Sequence, residues 1–208
     1  MPILAYIVAA LGAYLIGSIP TGFLVAKAKG IDIRKLGSGN IGATNAMRVL
    51  GKPAGIFVLL MDAAKGYVAV WVFCYLIWKV PNETCGITAG IFAVLGHNYT
   101  CWLKFKGGKG IATTAGVYLA LAPWAVLVAL VVFILAVLIS KYVSVGSIAA
   151  ALALSITVWV MTPHNLFLGI VTTALGLLAI YKHKGNIQRL MAGTENRLGQ
   201  KKSPEGAK

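Results

Sequence analysis

Six apolar runs, at residues 3–26, 54–78, 86–103, 111–140, 145–161 and 165–181, leave little of this chain for water. Crossing about 30 Å of hydrocarbon at about 1.5 Å per residue takes about 20 mostly apolar residues, and a run of that kind has nowhere else to go at this density. Hydrophobic residues make up 59% of the chain and charged residues 12%, about half the charge of a soluble domain. The expected architecture is therefore all-α: a polytopic transmembrane helix bundle forming one membrane domain over residues 1–198, with a polar, disordered tail at 199–208. The first run has no basic leader and no small-residue cleavage site, so it reads as a retained helix and not as a signal peptide.

The run 111–140 is too long for one crossing and short for two. Pro123 is the natural reversal point, because proline cannot continue a helix interior without a kink. With that break there are about seven crossings, and parity can then be checked against the basic residues, which collect on the cytoplasmic side. Seven crossings put the basic segments around 27–52, 104–109, 141 and 182–197 on one face. Lys79 alone stands in an external loop, and Lys65 lies inside a helix. The N-terminus is then external and the C-terminus cytoplasmic. Six crossings would separate the second and third basic loops.

Net charge is +14, from 19 Lys+Arg against 5 Asp+Glu. In a membrane protein this excess is first of all the positive-inside bias, and no nucleic-acid partner is expected. Cys74, Cys85 and Cys101 lie in or beside apolar runs and read as small packing residues. Only two acidic residues precede Lys79, which argues against a carboxylate metal site; neither metal nor cofactor is expected.

Three polar segments carry the chemistry. The first, residues 36–48, offers Gly37, Ser38, Gly39, Asn40, Gly42, Thr44, Asn45 and Arg48: free backbone N–H groups, small donors and a guanidinium able to grip phosphate through two hydrogen bonds. The second reads Lys104-Phe105-Lys106-Gly107-Gly108-Lys109-Gly110 and opens an apolar helix. Such a turn gathers N–H groups, the positive end of a helix dipole and ammonium groups in one small volume. It lacks the order of a Walker A loop. Just upstream, His97 is open to three readings, as a base, a phosphate ligand or a hydrogen-bonded interfacial residue. In the third segment, His183, Asn186 and Arg189 are spaced to share one helix face, although an amphipathic helix lying on the membrane surface explains the same pattern. Asp62 and Lys65, at i and i+3 in an apolar helix, are expected to form an ion pair that orients the first loop.

Absences narrow the chemistry further. No histidine is followed five residues later by aspartate, so the His-x4-Asp acyltransferase pair is missing, and there is no serine nucleophile elbow.

Taken in order, the segments Gly37 to Arg48, Gly96 to Gly110 and His183 to Glu195 resemble the three signature regions of the bacterial acyl-phosphate-dependent glycerol-3-phosphate acyltransferases. The resemblance implies transfer of a fatty acyl group from acyl phosphate to the 1-hydroxyl of glycerol 3-phosphate, giving lysophosphatidic acid and phosphate. It places Ser38, Asn40, Arg48, Lys106, Lys109, Ser144, His183 and Asn186 at positions that bind the two phosphates or the glycerol. Lys184 departs from an expected arginine, and a lysine holds phosphate without a bidentate grip; Gly185 is a small residue in a charged stretch. His183, Lys109 and Asn186 are the expected catalytic residues. Gly39, Thr44, Asn45, His97, Lys104, Gly107, Gly108, Gly110 and Arg189 complete the expected phosphate-binding set. Expected partners are both substrates, membrane lipids and, transiently, the enzyme that makes acyl phosphate.

An acyl phosphate is already activated, so positioning and charge stabilisation can supply most of the rate without a protein nucleophile. The proton of the attacking hydroxyl goes to His183 or to a substrate phosphate oxygen; the sequence leaves both open. An organic-anion transporter or channel lined by the same basic loops is the alternative from another class, and a non-catalytic lipid-binding scaffold a third.

Overall fold

The computed structural model describes residues 3–76 and 83–199, and among these every regular element is helical. α1 (Ile3–Ser18) and α2 (Thr21–Lys27) form one apolar stretch of 25 residues, interrupted at Pro20, which has no N–H to give the helical ladder. After a polar loop come α3 (Ala43–Leu50) and α4 (Lys52–Trp71), the latter extended by a π-helical turn at Val72–Leu76. α5 (Glu83–Asn98), α6 (Ile111–Leu121), α7 (Pro123–Ser140), α8 (Val143–Met161) and α9 (Leu166–Lys182) follow. α10 (Lys184–Met191) continues α9 after a 52° bend.

Small residues let these helices approach to backbone contact. α1 buries Ala5, Ala9, Ala13 and Gly17, one per turn, against α5. A Cβ on Gly17 would stand 2.1 Å from the Ala93 carbonyl oxygen, and one on Gly116 of α6 would stand 1.8 Å from that of Ala63 on α4. Packing of this kind replaces the hydrophobic drive that lipid does not supply between helices. α8 packs between α7 and α9. Large apolar side chains point outward instead, among them Val131, Leu135, Leu138 and Ile139 of α7, as a hydrocarbon solvent permits.

The α1–α2 stretch, α4, α7 and α8 have the length and composition to cross a membrane, and the α9–α10 pair adds a fifth when taken as one bent span. The run 111–140 divides at Ala122, with Pro123 as the first residue of α7, the position proline tolerates best. Its first half, α6, has only 11 residues, about 16 Å of rise. Lys79 and residues 200–208 lie outside the described residues. Arg197 lies over the Tyr142 ring and the Leu198 N–H donates to the Lys141 carbonyl at 2.8 Å, so residues 194–198 are tied to the α7–α8 turn.

Candidate active site

The loop before α3 is organised by one side chain. Asn45 is 2% exposed. Its Oδ1 accepts from the Ser38 N–H at 2.8 Å, and its Nδ2 donates to the carbonyls of Asn40 at 2.8 Å and Leu36 at 3.0 Å. Both the oxygen and the N–H groups of this amide are spent inside the loop, so Asn45, expected to bind phosphate, here shapes the loop. The expected nest of free N–H groups is also largely consumed. Gly39 donates to Leu36, Gly42 to the Asn40 side chain and Ser38 to Asn45. What the loop presents to the cavity is Ser38, Gly39 and Asn40. Thr44 and Arg48 are exposed on α3.

The second loop is folded down on the end of α5. Gly107 donates to the Asn98 carbonyl at 3.2 Å and Gly108 to that of His97 at 3.0 Å. Any Cβ at Gly107 would meet the His97 carbonyl oxygen at 2.0 Å. Lys104 and Phe105 take left-handed backbone angles to make the turn, and Gly110 does the same before α6, whose N-terminus has no side-chain cap. Of the three loop lysines only Lys109 lines the cavity, with Gly107 beside it; Lys104 and Lys106 are exposed outside that lining.

The α9–α10 bend supplies the third wall: Lys182, Gly185, Asn186 and Arg189. Lys109 Nζ donates to Asn186 Oδ1, while Asn186 Nδ2 donates to Glu195 Oε1 at 2.7 Å. An ammonium on one side and a carboxylate on the other leave the amide a single orientation. Glu195 also accepts from Arg189 Nε at 2.7 Å and from Ser144 Oγ at 3.1 Å. Ser144, expected at the substrate, thus reaches the site only through Glu195. His183 caps the bend and is 3% exposed; its Nδ1 lies 2.8 Å from the Ala179 carbonyl. A carbonyl only accepts, so Nδ1 carries the proton and Nε2 the lone pair.

The nine lining residues enclose about 220 Å³. Three cations face it, Lys109, Lys182 and Arg189. Burial lowers the Lys109 pKa to about 8; Glu195 opposes this, and Arg189 and Arg48 reinforce it. Burial alone would raise the Glu195 pKa, yet hydrogen bonds from Asn186, Arg189 and Ser144 hold it below the usual carboxylate value. Cations this close, with Glu195 alone beside them to balance the charge among the described residues, make a site in want of an anion.

Asp62 and Lys65 are paired at 2.7 Å. Lys65 also donates to the Ile19 carbonyl at 2.8 Å, and His97 Nδ1 stands 3.7 Å from the same Asp62 oxygen. Among the described residues, the pair's polar contacts run to the α1–α2 break and to the end of α5, and not to the first loop as expected. His97 is buried and has no place in the cavity lining.

Lys182, Gly185 and Glu195 stand outside the expected set of site residues. Lys182 Nζ donates to the Asn98 carbonyl at 3.2 Å and lies over the Tyr99 ring, contacts set by helix packing that no spacing announces. Glu195 did carry a signal. It is one of five acidic residues in a chain with 19 basic ones and stands inside a basic segment.

A family model described as glycerol-3-phosphate acyltransferase matches residues 7–193. The glycerol-3-phosphate acyltransferase of Trichlorobacter lovleyi is 49% identical over 90% of this chain and 94% of its own length. That of Geotalea daltonii is 46% identical over 91% and 96%. Two crystal structures of PlsY (YgiH), an integral membrane glycerol 3-phosphate acyltransferase, share the fold. The glycerol 3-phosphate form has a TM-score of 0.87 at 36% identity over 93% of this chain and 96% of that one. The lysophosphatidic acid form has a TM-score of 0.83 at 37% identity over 93% and 95%. This chain belongs to the glycerol-3-phosphate acyltransferase family.

Proposed function

We propose that this protein acylates the 1-hydroxyl of glycerol 3-phosphate with a fatty acyl group from acyl phosphate, releasing lysophosphatidic acid and inorganic phosphate. The carrying observation is the cavity that Lys109, Lys182 and Arg189 line together with Ser38, Gly39, Asn40 and Asn186. Its volume equals roughly seven waters at about 30 Å³ each, room for phosphorylated head groups and not for a fatty chain. The chain must then lie outside, along the apolar helices. The solved relatives in glycerol 3-phosphate and lysophosphatidic acid forms support the acceptor and the product.

The acceptor hydroxyl oxygen attacks the acyl carbon, and the carbon–oxygen bond to phosphate breaks. The uncapped α6 N-terminus takes up the charge that moves onto the leaving phosphate, while Lys109 holds the phosphate of the acceptor. The hydroxyl proton passes to a phosphate oxygen. Among the lining residues the titratable side chains are Lys109, Lys182 and Arg189, two of them primary amines that serve the site as cations, and His183 is 3% exposed and outside that lining. That placement favours the substrate's own phosphate over His183 as the base.

Seven crossings complete the proposal: the α1–α2 stretch and α4 to α9, with the N-terminus external and the C-terminus and cavity on the cytoplasmic side of a bacterial inner membrane. Acyl phosphate would be handed over there, in transient contact with the enzyme that makes it. Purified protein incubated with glycerol 3-phosphate and, separately, acyl phosphate, acyl-CoA or acyl-carrier thioester tests this. Lysophosphatidic acid should form with acyl phosphate. Product only from a thioester donor, or anion flux across sealed vesicles without chemical change, would overturn it.

A further inference from the structure

Outside the cavity lining lies a second set of buried polar groups. His97, at the last turn of α5, is 6% exposed, and Asp62 on α4 is 2% exposed. The His97 Nδ1 atom has no hydrogen-bond partner within normal reach, and the Asp62 carboxylate at 3.7 Å faces it. Asp62 is itself fixed by Lys65 at 2.7 Å, and Lys65 by the Ile19 carbonyl. The opposite edge of the imidazole meets the loop: a Cβ on Gly108 would come within 2.1 Å of His97 Nε2. The backbone joins the same two elements, since Gly108 donates to the His97 carbonyl and Gly107 to that of Asn98. Lys109, whose ammonium lines the cavity, is the next residue along.

The ring is therefore a wedge between a fixed carboxylate and the turn that carries Lys109. A carboxylate facing Nδ1 keeps that nitrogen protonated and sets the ring plane, because the group each ring nitrogen faces decides the tautomer. The ring plane in turn sets how closely Gly108 can approach α5. An apolar ring of equal size would fill the space without being held in one orientation.

We propose that His97 is a positioning residue for acceptor capture: oriented by the Asp62–Lys65 pair, it holds the turn at residues 107–109 at the height where Lys109 meets the phosphate of glycerol 3-phosphate. The inference rests on reading the cavity as the glycerol 3-phosphate site. Its effect belongs to ground-state binding, so the acceptor KM changes while kcat and the acyl phosphate KM do not.

The test is kinetic and uses the full-length enzyme in detergent. His97→Phe should raise the acceptor KM about tenfold as the turn that carries Lys109 shifts away from the phosphate, with kcat within about threefold of wild type. His97→Asn keeps a donor facing Asp62 and should recover most of the loss. Gly108→Ala should raise the acceptor KM by forcing its Cβ onto the ring, and the smaller side chain introduced by His97→Asn should relieve that, so the two substitutions combine non-additively. Thermal melting accompanies each variant. Should His97→Phe not fold, His97→Asn and its cycle with Gly108→Ala still decide. An unchanged acceptor KM in His97→Phe, a fall in kcat at constant KM, or strict additivity of His97→Asn and Gly108→Ala would each overturn the inference while leaving the activity standing. A wild-type enzyme that makes no lysophosphatidic acid would overturn the functional reading and this inference together.

Discussion

Raising the pH through 8 should strip the proton from Lys109 and with it the enzyme's hold on its acceptor. Burial places this lysine at about 8 in the cavity. Its protonated fraction is then about nine-tenths at pH 7 and about one-tenth at pH 9. The second ionisation of a phosphate monoester, near 6, is complete across that window, so the acceptor does not titrate there. The ratio kcat/KM reports groups on the free enzyme and should fall about tenfold from pH 7 to pH 9. A bound phosphate dianion favours the ammonium form, so kcat at saturating acceptor should hold its plateau to higher pH. Lys109→Arg provides the control. A guanidinium stays charged past pH 12, and the alkaline limb should vanish below pH 10, even though the planar fork fits the lysine's seat against Asn186 poorly and activity at pH 7 drops. The assay is lysophosphatidic acid formation at graded glycerol 3-phosphate from pH 6.5 to 9.5. An alkaline limb that survives Lys109→Arg unchanged, or no limb at all below pH 9.5, would refute the assignment.

Three further outcomes follow from the same geometry. Glu195→Gln leaves Arg189 without its counter-charge and sets an amide donor against the donor of Asn186 or of Arg189. Acceptor kcat/KM should fall about 10- to 100-fold, the scale of a charge-assisted hydrogen bond worth about 1.5–3 kcal/mol. His183→Gln should lower kcat by less than about tenfold, the floor set for loss of a true general base being nearer 10²-fold, and should leave the pH profile in place. Gly116→Leu drives a side chain into the Ala63 carbonyl and should lower the thermal midpoint in detergent, since overpacking costs about 1–3 kcal/mol or more.

What could be read from the residues was whatever depends on neighbours along the chain. The apolar runs, the helix break at Pro123 and the i, i+3 ion pair of Asp62 and Lys65 are all local, and the structure places each of them within a few residues of its expected position; of His183, Asn186 and Arg189, expected on one face, the last two line the cavity while His183 is buried at the bend. Destinations of hydrogen bonds are not local. Asn45 and Ser144 have the composition of ligands, yet one is spent on loop carbonyls and the other on Glu195. Lys104, Lys106 and Lys109 are alike in sequence. Only the fold of residues 107–110 onto α5 decides that Lys109 turns inward. The residues alone leave His97 three roles, and only helix packing brings Asp62 to one side of it and Gly108 to the other.

Convergence of three sequence-distant polar segments on one cytoplasmic cavity is most directly tested by cysteine accessibility. Single cysteines at Thr44, Lys106 and Gln188, all exposed in their segments, would be placed in a chain lacking Cys74, Cys85 and Cys101. A membrane-impermeant maleimide should modify all three in inside-out vesicles and none in right-side-out vesicles. Labelling of any one of them from the opposite face would contradict a shared site.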